Sequence, residues 1–226
     1  MRVEALDHVA VWVADRDRLS DFLLEVLDVH VVDRTNAFTL VGADGRRGKL
    51  TLFDADGPRE AGSLESVGFR VSSLERALDR LPDAVRVDVE DGEATLVAPE
   101  DLRLRLVEAP TDLEYDLDHV SLAVHDRRGA HDRLSTLGFE VVDGELRAGA
   151  ASIRLVEGAP AETERPLLNH LGLLVESAER HLEEARDRGL DVVDVVDAAN
   201  TYAVFVMGPE RIKLEYVEHK STFSLT

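Results

Sequence analysis

The chain has 226 residues, no cysteine, 46 acidic residues against 26 basic ones and a formal charge of −20. Lack of cysteine excludes disulfide frameworks, thiolate metal sites and thiol nucleophiles, and makes a reducing, cytoplasmic compartment the expected one. The acidic balance argues against a nucleic-acid partner, which needs a basic footprint. No apolar run approaches the ~20 residues of a membrane span, and the first residues lack the pattern of an export signal.

Lys49, Lys213 and Lys220 are the only lysines. So few beside so many acids exceeds what solubility needs and predicts a halophilic surface, on which salt screens the mutual repulsion of carboxylates.

Along the chain, Leu6-Asp7-His8-Val9-Ala10-Val11 returns as Leu117-Asp118-His119-Val120-Ser121-Leu122, so an internal duplication organises the protein. A second echo, Ser66-Val67-Gly68-Phe69-Arg70-Val71 against His170-Leu171-Gly172-Leu173-Leu174-Val175, divides each half again. Four modules result, each reading as a strand, a helix and further strands. The first has Asp7–Val13, a helix over Arg18–Leu27, then Val29–Val32, Ala37–Val41 and Lys49–Phe53, with Gly42 and Gly45 in a hairpin turn rather than a phosphate cradle. The second has Glu65–Val71, a helix over Leu74–Leu81, then Val85–Val89, Ala94–Val97 and Leu102–Val107. The third has Asp118–Val124, a helix over Gly129–Leu137, then Glu140–Val142, Glu145–Arg147 and Ser152–Val156. The fourth has His170–Val175, a helix over Ala178–Arg188, then Val192–Val196, Ala203–Met207 and Ile212–Val217. Ala109–Asp116 and Gly158–Pro166 read as linkers.

Strand alternation assigns each polar residue a face. His119 lies opposite Val120, Leu122 and Val124; His170 lies opposite Leu171, Leu173 and Val175; Glu215 lies opposite Ile212, Leu214 and Tyr216. Two imidazoles and one carboxylate on non-packing faces form the facial set that leaves positions open on a divalent metal, so His119, His170 and Glu215 are the predicted ligands. Fe(II) is favoured, with Mn(II), Zn(II) and Ni(II) as alternatives. In the first half the aligned positions are His8, Ser66 and Arg105. An arginine where a carboxylate should anchor a cation predicts that this half holds no metal and that His8 is an inherited or surface histidine. His125, His131 and His181 are expected to be solvated, and His219 to belong to a polar tail.

With these residues in place, the chain resembles the vicinal oxygen chelate superfamily, which groups glyoxalases, bleomycin-resistance proteins and dioxygenases. The resemblance implies an α+β fold of four βαβββ modules paired into two open barrel-like domains, residues 1–110 with a degenerate site and residues 114–219 with the metal. Four modules with ligands in the last two are specifically similar to type I extradiol dioxygenases. That implies ring cleavage of a small substrate with vicinal oxygens, with a metal-dependent isomerase, epimerase or lyase, or a metal-free bleomycin-resistance-type binding protein, as alternatives. A glyoxalase-like fourth ligand would fall on Arg154, which cannot serve. Phe205 stands where the ring-cleaving pattern has a tyrosine, leaving Tyr202 and Asn200 as candidate catalytic groups and Arg154 and Phe205 as candidate substrate contacts. The sequence is compatible with a homo-oligomer.

Overall fold

The computed structural model describes residues 1–160 and 163–225. Every module is βαβββ, as the repeat predicts. The first comprises β1 (Ala5–Val13), α1 (Arg16–Val26), β2 (His30–Arg34), β3 (Phe38–Gly42) and β4 (Lys49–Asp54). The second comprises β5 (Leu64–Val71), α2 (Leu74–Leu78), β6 (Val87–Glu90), β7 (Glu93–Val97) and β8 (Arg103–Glu108). The third comprises β9 (Asp116–Val124), α3 (Arg127–Thr136), β10 (Glu140–Val142), β11 (Glu145–Ala148) and β12 (Ala151–Glu157). The fourth comprises β13 (Leu168–Leu174), α4 (Ala178–Asp187), β14 (Val192–Asp197), β15 (Thr201–Met207) and β16 (Lys213–His219). Of the linker expected over Gly158–Pro166, Ala161 and Glu162 lie outside the described residues.

The duplication shows in the helix caps. Asp15 and Asp126 accept from the amides of Arg18 and Gly129 at 2.9 Å in the odd modules, whereas Ser73 and Ser177 accept from Arg76 and Arg180 at 3.3 Å in the even ones. Helix α2 stops earlier than its apolar spacing suggests, because Pro82 disfavours helical backbone just before it. Each apolar strand face packs inward: Val9, Val11 and Val13 of β1 meet Leu19 and Leu23 of α1 in a core built mainly of aliphatic side chains. Among the described residues no helix is long and apolar enough to cross a membrane.

The pairing of modules differs from the expected one. The sheets run β14-β15-β16-β13-β1-β4-β3-β2 and β10-β11-β12-β9-β5-β8-β7-β6, so module one shares a sheet with module four, and module two with module three. The division into residues 1–110 and 114–219 is therefore corrected: each open sheet draws one module from each half. Strands β1 and β13 pair antiparallel, as do β5 and β9. The sequence repeat does not separate the two arrangements, since both join an odd module to an even one through the same antiparallel seam.

Glutamates tie the two sheets together. Glu100 accepts from the amide of Ala14 at 3.2 Å, and Glu210 accepts from the amides of His125 and Asp126 at 3.0 and 3.1 Å. Both glutamates sit at positive φ, 64° and 54°, in a tight Pro-Glu turn that aims the carboxylate at the start of the neighbouring helix.

Candidate functional site

His8, His170 and Glu215 converge, their ligand atoms all within 4.8 Å of one another. His8 Nε2 lies 3.0 Å from His170 Nε2, and each of these nitrogens lies 2.9 Å from Glu215 Oε2. The strands explain the convergence. Across the β1–β13 seam Ala10 faces His170 and His8 faces Gly172, which brings both imidazoles onto one surface of the sheet. In the parallel β13–β16 pair, Gly172 faces Glu215. Gly172 is required here because a Cβ would stand 2.2 Å from the His8 ring.

The three predicted ligand residues do not all come together. His170 and Glu215 meet, but His119 lies in the other sheet, over Gly68, and the second imidazole beside them is that of His8. His8 is not a surface histidine; it is 8% exposed, and His170 is 4% exposed. The degenerate positions read from the first half, Ser66 and Arg105, belong instead to the sheet of His119.

Each imidazole is held from behind by the residue before it. His8 Nδ1 donates to Asp7 Oδ2 at 2.7 Å, and His170 Nδ1 to Asn169 Oδ1 at 3.1 Å, which turns both Nε2 atoms toward Glu215. Asp7 is itself gripped by the buried Lys49, whose Nζ donates to it at 3.0 Å and to the Gly45 carbonyl at 2.8 Å. His219 Nε2 comes within 2.9 Å of Asp7, and its ring stacks on Phe223 at 4.1 Å. His219 is therefore part of the support and not of a polar tail.

The electrostatics keep Glu215 ionised. Burial opposes charge on Glu215, yet the two imidazoles hold its carboxyl well below the ordinary range. Burial also disfavours charge on His8, but Glu215 and Asp7 outweigh it and push that imidazole up to about 9. Burial dominates at His170 and lowers it. One positive charge beside Glu215 is what this pocket stabilises, and two Nε2 atoms with one carboxylate, all preoriented, suit a divalent metal.

Register also identifies the fourth position. Ala10 faces Thr51 across β1–β4 just as Gly172 faces Glu215 across β13–β16, so module one offers a hydroxyl where module four offers a carboxylate. In the other sheet the equivalent residues are His119, Ser66, Arg105 and Arg154. There Arg105 and Arg154 both bind Glu93, at 2.9 and 2.8 Å, and hold its carboxyl low despite the opposing effect of burial. His119 Nε2 is buried without a hydrogen-bond partner among the described residues. Two guanidiniums in the ligand positions repel a metal.

A cavity of about 760 Å³ opens in front of the triad, lined by Trp12, Phe38, Phe53, Phe205 and Phe223 among others. Phe205 lies 5.2 Å from the His170 ring, in keeping with a substrate contact. Asn200 also borders the cavity, although its side-chain oxygen accepts from the Ser224 amide at 3.3 Å. Tyr202 does not: it alternates onto the core side of β15. Arg154 is removed from the candidate contacts because it serves the other sheet. His181, expected in solvent, is buried, stacked on Tyr216 at 4.9 Å and bonded through Nδ1 to the Ser177 carbonyl. His125 is bound by Glu210 at 2.8 Å.

A family model described as Glyoxalase/Bleomycin resistance protein/Dioxygenase superfamily matches residues 5–216. No curated protein matches the sequence. Among solved structures, a putative dioxygenase from Bacillus subtilis subsp. subtilis str. 168 is similar with a TM-score of 0.76 and 17% identity, over 98% of this chain and 87% of that one. Glyoxalase I from Zea mays gives 0.74 and 14%, over 96% and 92% of the two chains. The cppA protein from Streptococcus pneumoniae TIGR4 gives 0.65 and 13%, over 96% and 97%. At these identities the likeness is one of fold, and the family match spans nearly the whole chain. The protein belongs to the Glyoxalase/Bleomycin resistance protein/Dioxygenase superfamily.

Proposed function

We propose that the protein is a metal-dependent enzyme in which His8, His170 and Glu215 hold one divalent cation, Fe(II) before Mn(II), Zn(II) or Ni(II), facing a small substrate with vicinal oxygens. The meeting of three preoriented ligand atoms in front of an aromatic cavity carries this reading. Thr51 in the fourth position, where a further carboxylate would close the set, favours a cation with open sites, and hence oxidative ring cleavage of a diol. A cation there would supply Lewis acidity and, if ferrous, redox chemistry toward dioxygen. The chain's own residues do the rest. Asp7 and Asn169 keep both imidazoles in the ligating tautomer, Phe53 and Phe205 exclude water beside them, and the Thr51 hydroxyl can hydrogen-bond a substrate oxygen.

A second reading, a Lewis-acid isomerase or lyase on the same metal, is favoured by one observation. Among the described residues the histidines bordering the cavity are His8, His170 and His219, and all are engaged, which leaves none of them free to carry a proton for ring cleavage. Elemental analysis of anaerobically purified protein tests the metal, with one ion per chain expected. Oxygen uptake by iron-loaded protein on a panel of catechol-like diols then decides between the two reactions. A metal-free protein that stays metal-free on loading would overturn both. We infer in addition that the charge of −20 adapts the surface to high salt.

A further inference from the structure

We propose that the ligand of this site is an aromatic carboxylate, with its ring against the phenylalanine wall beside the triad and its carboxylate received by Lys213. The inference rests on the metal reading only for the end of the ligand that faces the triad.

The first support is where the aromatic residues lie. The chain has seven phenylalanines, one tryptophan and three tyrosines. Trp12, Phe38, Phe53, Phe205 and Phe223 all line one cavity, while the core is mainly leucine, valine and alanine. The rings are continuous: Trp12 to Phe53 is 5.4 Å, Phe38 to Phe53 5.9 Å, Phe53 to His170 6.1 Å and His170 to Phe205 5.2 Å. An aliphatic wall would satisfy packing equally well. Flat faces gathered at the mouth of a ligand set match a flat ligand.

Charge is the second support. Lys213 precedes Glu215 by two residues on β16, so it shares the triad's face of the sheet. It borders both this cavity and an adjoining one of about 780 Å³, which also share Trp12 and Asn169. Among the described residues its ammonium makes no ion pair; its one ring contact is Phe205, at 5.6 Å. Arg59 stands near the same junction, its guanidinium 5.5 Å over Trp12, its Nε buried without a hydrogen-bond partner and its charge also unpaired among the described residues. In a chain of charge −20 carboxylates are abundant, yet among the described residues none forms an ion pair with either cation; Glu215, which faces the two imidazoles, and Asp194 act on Lys213 only from beyond contact. A half-buried ammonium with no carboxylate in contact is costly unless the ligand brings one. A neutral diol would leave that cost unanswered; a carboxylate on the ring removes it, with Arg59 steering the anion inward.

Trp12 is the only tryptophan and lines the cavity, so quenching of its emission reads occupancy. The probes are 3,4-dihydroxybenzoate, catechol and 3,4-dihydroxybenzylamine, which share ring and diol but differ in charge. Each is titrated anaerobically into iron-loaded and metal-free protein. The benzoate is expected to bind at least about tenfold tighter than catechol, and the benzylamine weakest. Lys213→Met should erase the benzoate's advantage without changing metal content or circular dichroism, and Lys213→Arg should keep it. Equal affinities for the three probes, a preference that survives Lys213→Met, or no quenching by any of them would overturn the inference. Protein that takes up no metal but still prefers the benzoate would remove the proposed enzyme and leave the inference standing.

Discussion

Asp7-His8, Asp118-His119 and Asn169-His170 look alike along the chain, and in each the first residue bonds the Nδ1 of the second. What separates them is the company of Nε2: His8 and His170 share Glu215, whereas His119 Nε2 has no hydrogen-bond partner among the described residues. His170 and Glu215 were legible because strand alternation alone puts them on a non-packing face. His8 was not, because Ser66 and Arg105, the residues that stand beside it in its own half of the sequence, are not its neighbours in space. Lys49 and His219 gave no local signal at all, since they reach Asp7 from positions 42 and 212 residues away on other strands. His8→Ala should therefore lose the metal as completely as His170→Ala or Glu215→Ala, because each removes one of only three ligands. His119→Ala should keep one ion per chain. Metal stoichiometry after dialysis, with circular dichroism as a check on folding, reads the outcome, and the reverse pattern would place the site in the other sheet.

At the level of elements, the strands and helices were readable because apolar spacing and caps are local, and all four βαβββ units stand close to where the pattern put them. Which module pairs with which was not. Both even modules carry a glycine at the seam, Gly68 and Gly172, and both odd ones carry the histidine that lies over it. Either glycine suits either histidine, so nothing within one repeat records the choice. The observed choice makes the two glycines inequivalent in function. A Cβ at Gly172 would come within 2.2 Å of the His8 ring, and one at Gly68 within 2.3 Å of the His119 ring. Each Gly→Ala change should cost about 1–3 kcal/mol through overpacking of a buried seam. Only Gly172→Ala should also weaken metal binding, since it displaces a ligand. Thermal melts and metal titrations of the pair test this, and a metal affinity lowered equally by both changes would count against the assigned geometry.

Charge and connectivity act on the molecule as a whole. With 46 acidic residues and a net −20, carboxylate repulsion opposes compaction, and the Debye length shrinks to about 3 Å at 1 M salt. Melting temperature should then climb by on the order of ten degrees between about 0.1 and 2 M KCl. A flat profile would dismiss high-salt adaptation. The pairing of module one with four and two with three has a sharper consequence, because it splits the proposed metal site between the halves of the chain: His8 comes from the first, His170 and Glu215 from the second. Had modules three and four formed their own domain, as the sequence order suggests, the second half would carry every ligand. The linker between β8 and β9 offers a place to cut at Pro110–Thr111, ahead of the buried Tyr115. Produced separately, residues 1–110 and 111–226 each present an unpaired seam strand, and each can close on itself by joining its own odd and even module. In that self-paired state the second half would bring His119 toward His170, and its metal affinity would report on whether that alternative pairing is populated. The expected result is that neither half alone binds the ion as tightly as the intact chain, and that mixing or co-expressing the two restores one ion per heterodimer, with both seams formed between halves. If residues 111–226 alone bind one ion at the affinity of the intact chain, the ligands are those of the C-terminal pair and His8 is not among them.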